Sequence, residues 1–347
     1  MLRACHIVAV GARTVLGRAP ETGAAAVRAG ISRIEEHPHL VGSTGEPIRC
    51  ACDQALEADL PAVERMVLLG EHALTQLAAR LQLRGELSLP LLLALPEPRP
   101  GFTAADAQHI ERQLARVDTG LRLRSVSTVS RGHAGGLEAL HLAVQAMSNS
   151  TEDICIVGGV ESWLEPKSLA WLSRNGQLMG TNGRSAFFPG EGASFAVVAT
   201  PAARQRLRLP SLAVVRGTGV ASEHAPIKSD RDNLGIGLTE AIRQAHQDPG
   251  GRDLISDIYC DINGERYRAE EWGLAILRTS EWYRDPSAYV APASQWGDLG
   301  AATGIALATL AIAAWQRGYA RGSLAMLFAG SESGRRGAVL LERSGET

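Results

Sequence analysis

The feature that most constrains the fold is a repeat at half the length of the chain. Leu142-Ala-Val-Gln-Ala-Met147 is followed by a short polar link and then by Asp153-Ile-Cys-Ile-Val-Gly-Gly-Val-Glu-Ser162. In the second half, Leu310-Ala-Ile-Ala-Ala-Trp315 precedes a similar link and then Leu324-Ala-Met-Leu-Phe-Ala-Gly-Ser-Glu-Ser333. Each reads as a buried helix, an apolar strand and a small-x-Glu-Ser strand end. The two ends, at Glu161 and Glu332, lie 171 residues apart in a chain of 347, so a whole half-domain has been duplicated rather than a short solenoid unit. His6-Ile-Val-Ala-Val-Gly11 and Leu212-Ala-Val-Val-Arg-Gly217 open the two halves alike.

Uninterrupted apolar strands alternating with helices imply parallel α/β sheets covered on both faces. The helices after Gly132 and Gly300 are apolar nearly all round, which places them at the centre. The expected architecture is five layers, α/β/α/β/α, with halves at 1–203 and 204–347 and a boundary near 200–210. Between 88 and 120 the pattern weakens to a strand at Leu89-Pro-Leu-Leu-Leu-Ala-Leu95, a turn at Glu97-Pro-Arg-Pro100 and an amphipathic helix over 103–116 capped by Thr103.

The formal net charge of −2 gives no global field for nucleic acid or an anionic membrane. Arg204, Arg206 and Arg208, between two apolar strands, read as a solvated linker rather than a site for an acidic partner. Five cysteines form no even framework, which points to a reducing, cytoplasmic setting. Cys5, Cys155 and Cys260 sit in strand-like runs as small buried hydrophobes, and Cys50-Ala-Cys52 lacks zinc-site spacing. No metal or cofactor is expected. The apolar stretch 301–315 is too short to span a bilayer, and 1–17 reads as a first strand and turn rather than a signal segment.

Arg131-Gly-His-Ala-Gly-Gly-Leu-Glu-Ala-Leu-His-Leu-Ala143 has the form of a nucleophile turn. Glycines relieve the crowding of a sharp strand-to-helix turn, which aims its central side chain above the helix N-terminus. That side chain is His133, which can be neither a thiolate nor an alkoxide. The helix dipole disfavours its cationic form and so predicts a neutral imidazole, with Glu161 and Asp298 as candidate carboxylate partners. Ser127 and Ser130 are the nearest hydroxyls, and Ser130 reads as a turn or cap residue rather than a nucleophile. Asp298 beside the second glycine-rich turn reads first as a helix cap, and Glu161 and Glu332 as groups that hold the halves in register.

These residues resemble the thiolase superfamily, and within it the β-ketoacyl synthases, over nearly the whole chain. Leu137-Glu-Ala-Leu-His-Leu-Ala143 is similar to the helix after those enzymes' active-site cysteine, and Phe187-Phe-Pro-Gly-Glu-Gly-Ala193 to their gatekeeper segment. Ser222-Glu-His-Ala-Pro226 and Gly237-Leu-Thr-Glu-Ala-Ile242 resemble their substrate-side loop and following helix. Gly297-Asp-Leu-Gly-Ala-Ala-Thr-Gly304 resembles their second glycine-rich turn. The resemblance implies substrate-side positions at Phe187, His224 and Gly300, and a dimer formed by edge-strand pairing.

The departures are at the catalytic positions. The resemblance puts the cysteine at His133, the first histidine at Asn263, the second at Gly297 and the family lysine near Pro292. The threonine that contacts the carrier's pantetheine arm corresponds to Glu265, a carboxylate that disfavours a phosphopantetheine ligand. The expectation is a non-condensing protein: a partner subunit, adaptor or ligand-binding scaffold, homodimeric or paired with a related synthase. The alternative is an acyltransferase or decarboxylase working on acyl thioesters through His133 and Asn263. Core packing is the more common role for the paired Phe187 and Phe188, and a turn residue before Gly264 the plainer reading of Asn263.

Overall fold

The computed structural model describes residues 5–42, 45–81, 88–180, 185–246, 253–345, so the opening residues 1–4 of the expected first strand lie outside the described residues. Twelve strands follow in chain order: β1 (Cys5–Thr14), β2 (Glu35–Val41), β3 (Pro47–Cys50), β4 (Ser88–Leu95), β5 (Arg122–Ser130) and β6 (Ile154–Ser162), then β7 (Glu191–Ala199), β8 (Ala213–Ser222), β9 (Asp257–Cys260), β10 (Tyr289–Val290), β11 (Leu324–Gly330) and β12 (Arg335–Arg343). β2 and β3 form a small separate hairpin.

The other ten strands form two five-stranded units of one plan, β1-β7-β6-β4-β5 and β8-β12-β11-β9-β10. In each unit the first two pairings are antiparallel and the last two parallel. Among the described residues the strands of the two units pair where Cys5, His6 and Ile7 meet Val215, Val214 and Ala213. The duplication read in the sequence is therefore a duplication of topology.

Strand alternation builds the layers, because successive side chains point to opposite faces. Cys155 and Val157 of β6 enter the central core with Leu327 and Ala329 of β11. Their neighbours Ile156 and Val160 face an outer core under the helices Ala62–Leu81 and Ala104–Arg116. Met326 and Phe328 face the opposite outer core, with Leu238 and Trp272 of the helices Ile236–Ala245 and Arg266–Ile276. Between the sheet units lie the helices Gly135–Ser148 and Thr303–Gln316. The helix Ala104–Arg116 starts on Thr103, whose hydroxyl accepts from Asp106 N as the sequence predicts. The arginine run differs from the expected linker. Pro at the first turn and Thr200 as cap make 201–207 a short helix, and Arg206 pairs with Asp153 at 2.6 Å.

The central helices meet glycine to glycine at their N-terminal ends. A Cβ on Gly304 would lie 2.8 Å from Leu137 N, and one on Gly136 would lie 3.4 Å from the Gly304 Cα. Gly304→Val is therefore expected to destabilise the fold by about 1–3 kcal/mol through overpacking. Gly273→Ala, whose new Cβ meets nothing within 4 Å, should be neutral or stabilising. Urea midpoints of the two variants check this; equal midpoints would refute the close approach.

Candidate functional site

β5 ends at Ser130, and the chain turns through Gly132, whose φ of +56° is available to glycine without strain. A single 3₁₀ turn, Gly132–Ala134, then leads into the helix Gly135–Ser148. The second half repeats the device with Gly300, φ +42°, a 3₁₀ turn Gly300–Ala302 and the helix Thr303–Gln316. Because the helices cross at these ends, the residues around the two turns converge. His133 and Asp298 are both buried there.

His133 Nε2 lies 2.9 Å from each oxygen of the Asp298 carboxylate. The same carboxylate accepts from Asn263 Nδ2 at 2.6 Å, Trp163 Nε1 at 3.0 Å and the Gly300 amide at 2.8 Å. Its lone pairs are thus fully used. Arg268 closes the other side, with Nη2 3.4 Å from His133 Nε2. It is held by Glu265 at 2.9 Å, Asp261 at 2.5 Å and the Gly330 carbonyl at 2.6 Å. Gln177 Nε2 donates to Glu265 at 2.8 Å and also to Glu332.

Burial works against an imidazolium at His133, but the adjacent Asp298 charge and its hydrogen bond outweigh burial and the Arg268 repulsion, so the pKa is raised. Burial alone would raise Asp298, yet His133, Arg268 and Asn263 together hold it far below the usual carboxylate range. Both directions favour an imidazolium–carboxylate pair. Asp298 thus acts against the neutral imidazole that the helix dipole favours, because a full charge at contact distance exceeds a half-charge at the helix end.

Asn263 meets His133 through Asp298. The side chain that faces His133 from the second turn is Asp298 and not Gly297, whose backbone at φ +73° packs against Ala51 and Gly190. Pro292 precedes the short helix Ala293–Trp296. Glu161 is fully buried, paired with Arg99 at 2.7 Å, and accepts from the Ala301 amide at 3.2 Å, so it ties its strand to the facing turn. Gly300 lies against it, where a Cβ would fall 2.1 Å from Glu161 Oε2. Phe187 is buried with its ring 5.4 Å from Trp163. His224 is exposed, while Lys228 of the same loop reaches a cavity above His133. Ser127 is exposed on β5 and Ser130 is half-buried at its end. Among the described residues no cysteine lines this cavity, and no group of His, Cys, Asp or Glu is placed to hold a metal ion. Burial pushes the Cys5 thiol up to about 11 and lifts Cys155 and Cys260 as well.

Sequence reasoning did not single out Arg268, Asp261, Trp163, Arg99 or Lys228. One local signal existed: Arg268 lies three residues after Glu265 at the start of a helix, the spacing of a side-chain pair. Trp163 is placed only by the tertiary fold. Its indole lies under the Arg99 guanidinium at 3.7 Å and donates to Asp298.

Residues 116–200 match the family described as β-ketoacyl synthase, N-terminal domain. No curated protein matches the chain in sequence. Among solved structures, the ishigamide ketosynthase/chain length factor superposes with a TM-score of 0.81 at 17% identity, covering 99% of this chain and 100% of that one. The ketosynthase from module 6 of the bacillaene synthase of Bacillus subtilis 168 gives 0.79 at 15%, covering 99% and 72%. A ketosynthase in complex with its type II polyketide synthase acyl-carrier protein gives 0.78 at 13%, covering 99% and 100%. At these identities the structural likeness is one of fold. The fold is thiolase-like. Within that class the fold is ketosynthase-like, and the family match in sequence is confined to residues 116–200.

The ion pair fixes a pH signature. His133 is raised above its unfolded value of 6.5, so its contribution is complete below pH 6.5 and lost as pH rises through the folded-state value. Asp298 is depressed below 3.8, so its contribution is present above pH 3.8 and lost as pH falls through its folded-state value. In Asp298→Asn, the His133 imidazole should titrate below 6.5 when followed by NMR. The stability advantage of the unaltered protein should be largest between those limits and shrink at alkaline pH. An unchanged His133 titration would refute the pair.

Proposed function

We propose that this chain is a non-condensing ketosynthase-like protein, acting as a partner subunit, adaptor or ligand-binding scaffold. The observation that carries the reading is the imidazole at the nucleophile position, buried in an ion pair whose carboxylate has no acceptor capacity left. Condensation needs a side chain that can hold an acyl group as a thioester. His133 instead commits Nε2 to Asp298, and the cavity above it holds no thiol among the described residues. Glu265, where the resemblance expects a pantetheine contact, is locked to Arg268 and Gln177.

The two halves are read as 1–203 and 204–347. No helix among the described residues is long and apolar enough to cross a membrane, and a reducing, cytoplasmic setting fits an odd count of five cysteines. Among the described residues β5 pairs with β4 on one side and has no strand on the other, a largely exposed edge open to addition of another strand. It supports a homodimer or pairing with a related synthase; one of the similar structures is itself a ketosynthase/chain length factor. The acyl-transfer or decarboxylation reading draws on one observation, the meeting of His133 and Asn263 at Asp298.

A panel of acyl and malonyl thioesters, on coenzyme A and on carrier protein, separates the two readings. Intact mass and thioester consumption should be the same for the protein and for His133→Ala, with no adduct. An adduct or turnover that disappears in His133→Ala would install the acyl-transfer reading instead. Independently, Ser125→Asp with Ser127→Asp on β5 should shift the assembly to monomer in light scattering without loss of helical circular dichroism. An assembly unaffected by both charges would place the interface elsewhere.

A further inference from the structure

The helix Thr303–Gln316 meets the His133 turn at its N-terminal end, and its 14 residues carry it about 21 Å away. Towards its far end lies a separate pocket of about 270 Å³, between the helix Pro20–Arg28, strands β9 and β10 and the loop before β11. At roughly 30 Å³ per water this space holds about nine waters, so the groups that line it converge on one small ligand.

The polar lining is dominated by donors: Arg28, Arg321, Tyr259 and Tyr319. The Arg28 guanidinium lies 4.2 Å over the Tyr319 ring and has no ion pair or hydrogen bond among the described residues. Arg321 gives one N–H, from Nη1 to the Ala288 carbonyl at 3.1 Å, and its guanidinium has no carboxylate partner among the described residues. Neither phenol hydroxyl has a hydrogen-bond partner among the described residues. Tyr319 and Arg321 both bear on the ionisation of Tyr259, and Arg28 and Arg317 on that of Tyr319, so these donors share one neighbourhood. Asp257 is the one carboxylate in the lining, and its oxygens are taken by the Arg321 amide at 3.1 and 3.2 Å and the Ser256 hydroxyl at 2.8 Å. Outside the pocket, exposed Asp285 is bonded to Ser287 at 2.6 Å, and Arg284 reaches the Arg321 carbonyl at 2.8 Å. Arg28, Arg284, Arg317 and Arg321 thus face Asp257 and Asp285, an excess of positive charge. Helix C-termini favour Arg28 and Arg317 where they stand, but no helix end accounts for Arg321 or for two bare phenols beside it.

Unused donors of this kind match an anion with several acceptor oxygens. A carboxylate offers two oxygens and one charge, whereas a phosphate monoester offers three oxygens and up to two charges, in a geometry that guanidiniums bind well. The remaining wall is apolar, formed by Ala24, Val27, Ile258, Val290 and Leu310. We infer that this pocket binds a small phosphate monoester whose ester group is apolar or aromatic. Its phosphoryl oxygens take the Arg28, Arg321 and phenol donors, and its ester group packs on Val27, Val290 and Leu310. The site lies apart from His133 and is independent of the function proposed there.

Calorimetric titration of the whole protein in phosphate-free buffer with phenyl phosphate, inorganic phosphate, benzoate and phenol tests the inference. Phenyl phosphate should saturate with a Kd on the order of 0.1–1 mM, and each of the other three should bind about tenfold more weakly or worse. Arg28→Gln and Arg321→Gln, both at exposed positions, should each weaken phenyl phosphate about tenfold. Arg206→Gln, which removes a surface arginine elsewhere, should keep full affinity. Unchanged circular dichroism would show that the variants fold. The inference is overturned if phenyl phosphate fails to saturate by about 10 mM, if any of the other three compounds binds as tightly, or if both pocket variants keep full affinity. An equal loss in Arg206→Gln would reduce the effect to general surface charge and overturn it as well.

Discussion

The structure depends on the close crossing of two apolar helices, Gly135–Ser148 and Thr303–Gln316, at Gly136 and Gly304. Any side chain at Gly304 would collide with the facing backbone, so the crossing fixes how near the two halves approach. That distance sets the site. It brings the turn carrying His133 within hydrogen-bond reach of Asp298, and it lets Glu161 reach the Ala301 amide. Packing and site chemistry therefore share one constraint, and loosening the crossing would open the ion pair as well as the core.

The helix ends contribute to the same point. Two N-termini converge there, each equivalent to about half a positive charge. A carboxylate is the side chain such a place favours most, and Asp298 collects an indole, an amide side chain, a backbone amide and an imidazole. An imidazolium would be disfavoured by both dipoles. Asp298 offsets that at His133 because the carboxylate is nearer than either helix end.

What was legible in the sequence was whatever periodicity and repetition encode. β6 and β11 are largely apolar because both faces are covered, and the helix Thr303–Gln316 is apolar all round because it is buried from Thr303 to Trp315, whereas Gly135–Ser148 leaves Leu142 and Gln145 exposed. The site was legible only where a side chain sits on a glycine-marked turn, as His133 does. Register within the second turn was not: Gly297 and Asp298 are adjacent, and only the fold shows which presents a side chain inward. Nor could spacing reveal that Lys228 rather than His224 turns toward the cavity, since a loop's direction is set by what it packs on. Arg268 was hidden for a further reason. Arginine near a helix start ordinarily reads as a solvated residue, and its burial depends on three acceptors from separate elements.

The charge cluster also decides what kind of group His133 is. Asp261, Glu265 and Asp298 converge on Arg268 and His133. Three carboxylates against Arg268 alone would leave two uncompensated charges in a water-poor place. Protonating His133 removes one of them, at less cost than protonating a carboxylate whose lone pairs are all engaged. Buried ion clusters of this kind add little net stability over an apolar filling, so the cluster is better understood as specifying an arrangement than as strengthening the fold. What it specifies is the orientation of the His133 ring, with Nε2 turned to Asp298 and the Arg268 guanidinium alongside, so that the imidazole is held by the facing half of the fold and not by its own turn.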